Sequence, residues 1–285
     1  MAGKFARSWA LMKASADILR SDKSLMVFPL LSVVCCLVVG ASFLIPIGFA
    51  FAGMQEAAGG RVAMSPAMYA ALFVFYLAQY FVIIFFNTAL AGVALKRLRG
   101  EPASVAEGFA IARSRIVSIF GYALIAATVG LILRFLQERL GFLGRLVVGM
   151  FGLAWTVATF LVVPMLASQD IGPLEVVKHS AQLLKRTWGE NIIGNAGIGL
   201  VFGLITLVAV LLAVALIAGA AATGSVALII TAVVAAVFGI TTLALIQASL
   251  QGIYSAALYR YAEEGTVGVG FDQAMLENAF RIKKK

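Results

Sequence analysis

The sequence predicts an all-α polytopic membrane protein: six transmembrane helices arranged as three hairpins, each preceded by a cytoplasmic amphipathic helix at the membrane interface. Three observations carry this reading. Positions 191–259 form a run of 69 residues without Asp, Glu, Lys or Arg, whereas a helix on the surface of a soluble domain needs a charged or polar face. The chain is 62% hydrophobic and 12% charged, against roughly 25% charged in an average soluble domain. The apolar residues also come in blocks near the ~20 residues that a helix needs to cross a bilayer, without the alternation of barrel strands. A length of 285 residues accommodates six crossings and short loops but no large soluble domain.

Taken in order, the chain begins with Phe5, Trp9, Met12, Ala16 and Leu19, recurring at spacings of 4, 3, 4 and 3. That is one face of an α-helix. The apolar run Leu25–Gly53 far exceeds the ~7–15-residue apolar region of a cleavable signal, so it is expected to stay as the first span. The second span, Ala67–Leu95, is stopped by Lys96, Arg97 and Arg99. A second stripe (Val105, Phe109, Ala112, Ile116) leads into the third span, Ile116–Leu133, and the fourth is Leu146–Ser168. A third stripe (Leu174, Val177, Ala181, Leu184, Trp188) has Glu175, Lys178, His179, Gln182, Lys185 and Arg186 on its other face. The long uncharged run must turn once, and the small residues Gly219–Ser225 are the natural place, giving spans Ile192–Ala218 and Val226–Ala257. Pro102 and Pro173, each with a nearby acidic residue, suit first helical turns.

Helix, span, turn, span thus occurs three times, over about 4–95, 101–169 and 171–259 of a single membrane domain spanning 1–285. We read this as three parallel repeats; the alternative is that any helix leading into a membrane tends to be amphipathic. A tail, 260–285, carries a short helix near 272–281 and ends in three lysines. With six spans both termini share a side. That side holds eighteen Lys and Arg, and the other holds only Arg61, Arg134, Arg139 and Arg145. Basic loops stay cytoplasmic, so both termini are expected in the cytoplasm. The net charge of +9 is dispersed between apolar blocks, which fits anionic lipid rather than nucleic acid.

Chemistry is sparse. The spans contain no Asp, Glu, Lys, Arg or His in their interiors, which counts against a proton relay. Adjacent Cys35 and Cys36 lack further ligands and read as reduced apolar side chains, so no metal and no cofactor is expected. His179 is the sole histidine and has no evident catalytic partner. Enzyme activity is not expected. Asn87, Thr241 and Gln247 are the polar residues most able to line a path through the spans; the other reading is interhelical hydrogen bonding. Gly199 and Gly203 form a GxxxG pattern, read as close packing within the chain, with dimerisation as the alternative.

Two end motifs carry a resemblance. The string Ser8-Trp9-Ala10-Leu11-Met12-Lys13-Ala14-Ser15, with Leu19-Arg20-Ser21-Asp22-Lys23 and Phe28-Pro29, resembles the opening of an uncharacterised prokaryotic family of six-span integral membrane proteins. Leu258-Tyr259-Arg260-Tyr261-Ala262, Gly270-Phe271 and Asn278-Ala279-Phe280-Arg281 are similar to that family's ending. The family is a domain of unknown function, so the likeness implies membrane location and topology. More distantly, the pattern resembles the membrane domain attached to some glycerophosphodiester phosphodiesterases, whose chemistry is not carried over. At the interface, Phe5, Trp9, Trp188, Tyr259 and Tyr261 are expected at headgroup level, with Lys13, Arg20 and Lys23 facing lipid phosphates and Asp17 and Asp22 as ion-pair partners.

The expectation is therefore a multi-pass protein of a bacterial cytoplasmic (inner) membrane, without enzymatic activity, acting as a scaffold, assembly or lipid-organising module. The alternative is a transporter or channel for a small or lipid-like molecule. Expected partners are membrane lipids including anionic headgroups, and a second copy or another membrane protein, with no nucleic acid.

Overall fold

A computed structural model describes residues 13–58, 66–188, 197–266 and 268. All of its regular elements are helical, with no strand among the described residues. In chain order they are α1 (13–21), a 3-10 turn at Lys23–Met26, α2 (Val27–Ala58) and α3 (Pro66–Leu98). There follow α4 (Val105–Ser114), α5 (Ile116–Arg139), α6 (Phe142–Ala158), α7 (Val162–Ser168), α8 (Pro173–Trp188), α9 (Gly197–Ala222) and α10 (Val226–Glu264). Six stretches are long and apolar enough to cross a membrane: Lys23–Ala52, Pro66–Leu98, Ile116–Arg139, Phe142–Ser168, Gly203–Ala222 and Val226–Glu264. The expected tail helix near 272–281 lies outside the described residues.

Local chemistry sets the boundaries. Helix α4 starts at Val105 rather than at Pro102, because Ser104 and Glu107 form a reciprocal capping box, Ser104 Oγ accepting from the Glu107 amide at 3.2 Å and Glu107 Oε2 from the Ser104 amide at 2.7 Å. Such a cap contributes about 1 kcal/mol. Between α9 and α10 the chain reverses at Gly224, whose φ of +70° is cheap only for glycine, and Ser225 then caps α10. The fourth crossing is two helices where one was expected. Residues 159–161 form a turn between α6 and α7. Pro164 has no amide hydrogen to give to the carbonyl four residues back, so the helical ladder is interrupted there. The Leu161 amide instead donates to Ser180 Oγ at 3.2 Å, and Ser180 is fully buried. Protein thus supplies the partner that hydrocarbon cannot.

The chain clusters into two compact units. One comprises Val27–Val93 and Pro102–Leu183. Its core is aromatic, with Phe28 5.5 Å from Phe109, Phe109 5.9 Å from Phe86 and 6.3 Å from Phe85, and Phe81 6.1 Å from Phe120. Glycines let α4 dock here: a methyl group added at Gly108 would lie 2.5 Å from Phe28, and one at Gly92 would lie 2.9 Å from Ile111. The loop before α8 is held to α5 by Ser118 donating to the Ile171 carbonyl at 2.9 Å and by the 2.6 Å Arg115–Asp170 ion pair. Burial in α3 is concentrated near its charged end, from Thr88 to Leu98, while Tyr69, Val74 and Ile83 are exposed. In α6 Phe142, Leu143, Met150 and Phe151 are exposed, and in α7 Val162, Met165 and Leu166 are buried.

The other unit comprises Met1–Met26, Ala94–Glu101 and Leu184–Lys285. Within it α9 and α10 pack against each other, and the 3-10 turn packs against α10. Helix α10 follows the same trend as α3: Leu228, Ile230, Val234, Val237 and Phe238 are exposed, whereas Leu250, Ile253 and Ser255 to Tyr259 are buried. A side chain added at Gly203 would meet nothing within 4 Å. The expected close packing of the GxxxG pattern inside the chain therefore does not occur at Gly203.

Candidate functional site

The densest polar chemistry lies at the charged ends of α3 and α10, in the unit that contains α1. Asp22 Oδ2 accepts from Arg97 Nε and Nη2 at 2.9 and 2.8 Å, and its Oδ1 accepts from the Ser24 amide and hydroxyl at 3.1 and 2.5 Å. Burial pushes the Asp22 carboxyl upward, but the Ser24 hydroxyl and amide and the Arg97 charge outweigh it and hold it below the ordinary carboxylate range. Glu264 takes Arg99 on one oxygen and Arg260 on the other, at 3.1 Å for Arg260, and Arg260 also donates to the Leu98 carbonyl. The carbonyl at the end of α3 thereby gains a cationic donor, the favourable sign for a helix C-terminus. Gly268 completes the contact, since a methyl group there would lie 2.6 Å from Leu98. Sequence reasoning offered Asp22 to Lys13, Arg20 or Lys23; the structure gives it to Arg97. It missed the Arg99–Glu264–Arg260 group altogether.

The expected polar lining falls in both units. Gln247, on α10, accepts from Thr206 of α9 at 3.3 Å. The two residues border a cavity of about 40 Å³ that is otherwise lined by Ala209, Val210, Ile240, Leu243 and Ala244. Thr241 lies on an exposed face of α10 and does not border it. Thr206 had no sequence signal beyond being a hydroxyl in a span. Asn87 is half-buried on α3 in the other unit, and next to it Thr88 is fully buried with its hydroxyl unpartnered among the described residues. Gln79 donates across to the Cys36 carbonyl at 3.0 Å, as interhelical bonding would have it.

Of the expected lipid-facing residues, Lys13, Arg20 and Lys23 are exposed, and Arg20 has a loose ion pair with Asp17 at 3.7 Å. Phe5 and Trp9 lie outside the described residues, as does the side chain of Trp188, which closes α8. Tyr261 is half-buried, while Tyr259 is 2% exposed and packed inside protein. Along α8 the buried positions are Val176, Ser180, Leu183 and Leu184, and Leu174 is 65% exposed. Among the described residues no three His, Cys, Asp or Glu side chains come together as a metal site.

Six apolar crossings and an all-helical fold define the class: this is a multi-pass membrane protein. The chain belongs to a family of unknown function, DUF6159, whose pattern matches residues 66–271. That stretch takes in α3 to α10, including Arg97, Arg99 and Glu264. No curated protein matches the chain.

Proposed function

We propose that the protein is a non-enzymatic scaffold and lipid-organising module of a bacterial cytoplasmic membrane, with both termini cytoplasmic. Its six spans form three hairpins, and the helices ahead of them (α1, α4 and α8) lie at the cytoplasmic interface. Through these it gathers anionic lipid and neighbouring membrane proteins, alone or as an oligomer. The observation that carries the reading is where side chains are invested. Burial in α3 and α10 and the Arg–carboxylate groups concentrate at the ends that carry Arg97, Arg99, Arg260 and Glu264. A firm, basic surface suits docking, because exposed Lys13, Arg20 and Lys23 each gain about 1 kcal/mol beside an anionic leaflet. The small size of the α9–α10 cavity, about 40 Å³, supports this reading over transport. The likeness to the phosphodiesterase-attached membrane domain enters as architecture only.

The test uses protein reconstituted in vesicles. A dye on Lys178→Cys, in a Cys35→Ala/Cys36→Ala background, should be quenched more by nitroxide-labelled phosphatidylglycerol than by equally labelled phosphatidylcholine. Trapped small solutes should leak no faster than from empty vesicles. Faster leakage that is abolished by Asn87→Leu or Gln247→Leu would replace the scaffold with a transporter.

A further inference from the structure

The end of α5 and the start of α6 carry Arg134, Glu138, Arg139 and Arg145 within twelve residues. Their surroundings distinguish them. Arg134 is already satisfied: its Nε donates to Glu138 at 3.1 Å and its guanidinium also reaches the Tyr76 hydroxyl. Arg139 stacks 4.1 Å from the ring centre of Phe135, an arrangement that orients the guanidinium but leaves its charge and its in-plane N–H donors in place. Arg145 gives one donor to a neutral acceptor, the Leu140 carbonyl at 3.2 Å. Neither Arg139 nor Arg145 has a carboxylate partner among the described residues, and both are exposed. Two uncompensated guanidinium groups therefore flank the Leu140–Gly141 corner. Immediately beside them Phe142 and Leu143 are 82% and 75% exposed. Two cations joined to two bare apolar side chains reproduce, in reverse sign, the layout of an anionic amphiphile. The corresponding turn between α9 and α10, 223–225, carries no charge at all.

We propose that this corner is a binding site for an anionic phospholipid. Arg139 and Arg145 hold the phosphate oxygens, to which guanidinium forks are suited, and Phe142 and Leu143 rest on the acyl chains. A zwitterionic lipid offers the same phosphate with its charge cancelled, so selectivity for net negative charge is part of the proposal. The site uses none of the Lys and Arg side chains invoked above, and it survives or fails independently of the scaffold reading.

The experiment places a dye on Leu146→Cys in the Cys35→Ala/Cys36→Ala protein, reconstituted in phosphatidylcholine vesicles. Nitroxide-labelled phosphatidylglycerol or phosphatidylcholine is then titrated in. The expected result is half-quenching at a mole fraction about fivefold or more lower for phosphatidylglycerol, from two charges near the surface. Arg139→Gln/Arg145→Gln should bring the two lipids together, and Arg139→Lys/Arg145→Lys should keep most of the difference. Equal quenching by both lipids in the parent protein overturns the proposal. So does a preference that persists in the double glutamine variant. The dye at position 178 serves as the internal comparison, because its response reports the scaffold reading alone.

Discussion

Arg97 and Asp22 are 75 positions apart in the chain, and each accounts for the other's surroundings. An Asp at the start of a span would cost several kcal/mol to bury unpaired; here its four accepted hydrogen bonds come from one guanidinium and one serine. Its carboxyl is held below its ordinary value, so the folded state binds the proton less tightly than the unfolded chain does. The stabilisation is then fully present above the unfolded pKa, about 4, and is lost as pH falls through the depressed folded value. Asp22→Asn should lower thermal stability in detergent at pH 7, by about 1–3 kcal/mol for lost charge-assisted hydrogen bonds. It should also flatten the parent's fall in melting temperature below pH 4. A variant with the parent's acid-side slope would show that Asp22 is not the group responsible. None of this was legible in the sequence, where Asp22 has nearer basic neighbours in Lys23 and Arg20, because a pairing over such a separation depends on which helix ends meet.

At the scale of elements, α4 shows how glycine decides docking. A methyl group at Gly108 would lie 2.5 Å from Phe28 and 2.8 Å from Val93. Phe28 has no exposed surface and is set against Phe109, so the ring cannot swing away. Gly108→Ala should therefore destabilise by about 1–3 kcal/mol through overpacking, despite alanine's higher helix propensity. Gly203→Ala meets open space and should be neutral or stabilising by up to about 1 kcal/mol. Parallel melting curves in one detergent check both; equal shifts would mean that α4 is not docked through Gly108. The spans were readable because hydrocarbon excludes charge, and observed limits such as Val226 and Ile116 coincide with the expected ones. The break at 159–161 was not readable, since Pro164 alone permits either a kink or a break, and the choice rests on Ser180, nineteen residues away. The α8 stripe was misjudged by part of a turn. Val176 and Leu183 pack inward while Leu174 is exposed, so its apolar positions serve two environments that a single periodicity merges.

For the molecule as a whole, helix length and charge make one joint argument about the membrane. Helix α10 has 39 residues, about 58 Å at the α-helical rise, against a hydrocarbon core of about 30 Å. Roughly half of it must therefore lie outside hydrocarbon. Its exposed apolar positions run from Val226 to Phe238, and its buried stretch from Ser249 to Tyr259. The first part matches a lipid-facing crossing and the second a protein-covered projection that ends at Arg260 and Glu264. Counted by sequence segment, eighteen Lys and Arg share the projection's side of a six-span topology and four do not, so the proposed orientation, which rests on the positive-inside bias, has the projection facing the cytoplasm. In cysteine-free protein expressed in bacterial cells, Ala222→Cys should react with a membrane-impermeant maleimide added outside, and Lys178→Cys only after the cells are opened. Both positions are exposed in the structure, so a failure to label does not come from cover by protein. Reversed labelling would invert the orientation and move the basic helices to the outer face. Labelling of both from outside would mean that residues 178 and 222 are not separated by an odd number of crossings, and the helix between them, α9, would then have to be read as lying along the membrane instead of through it.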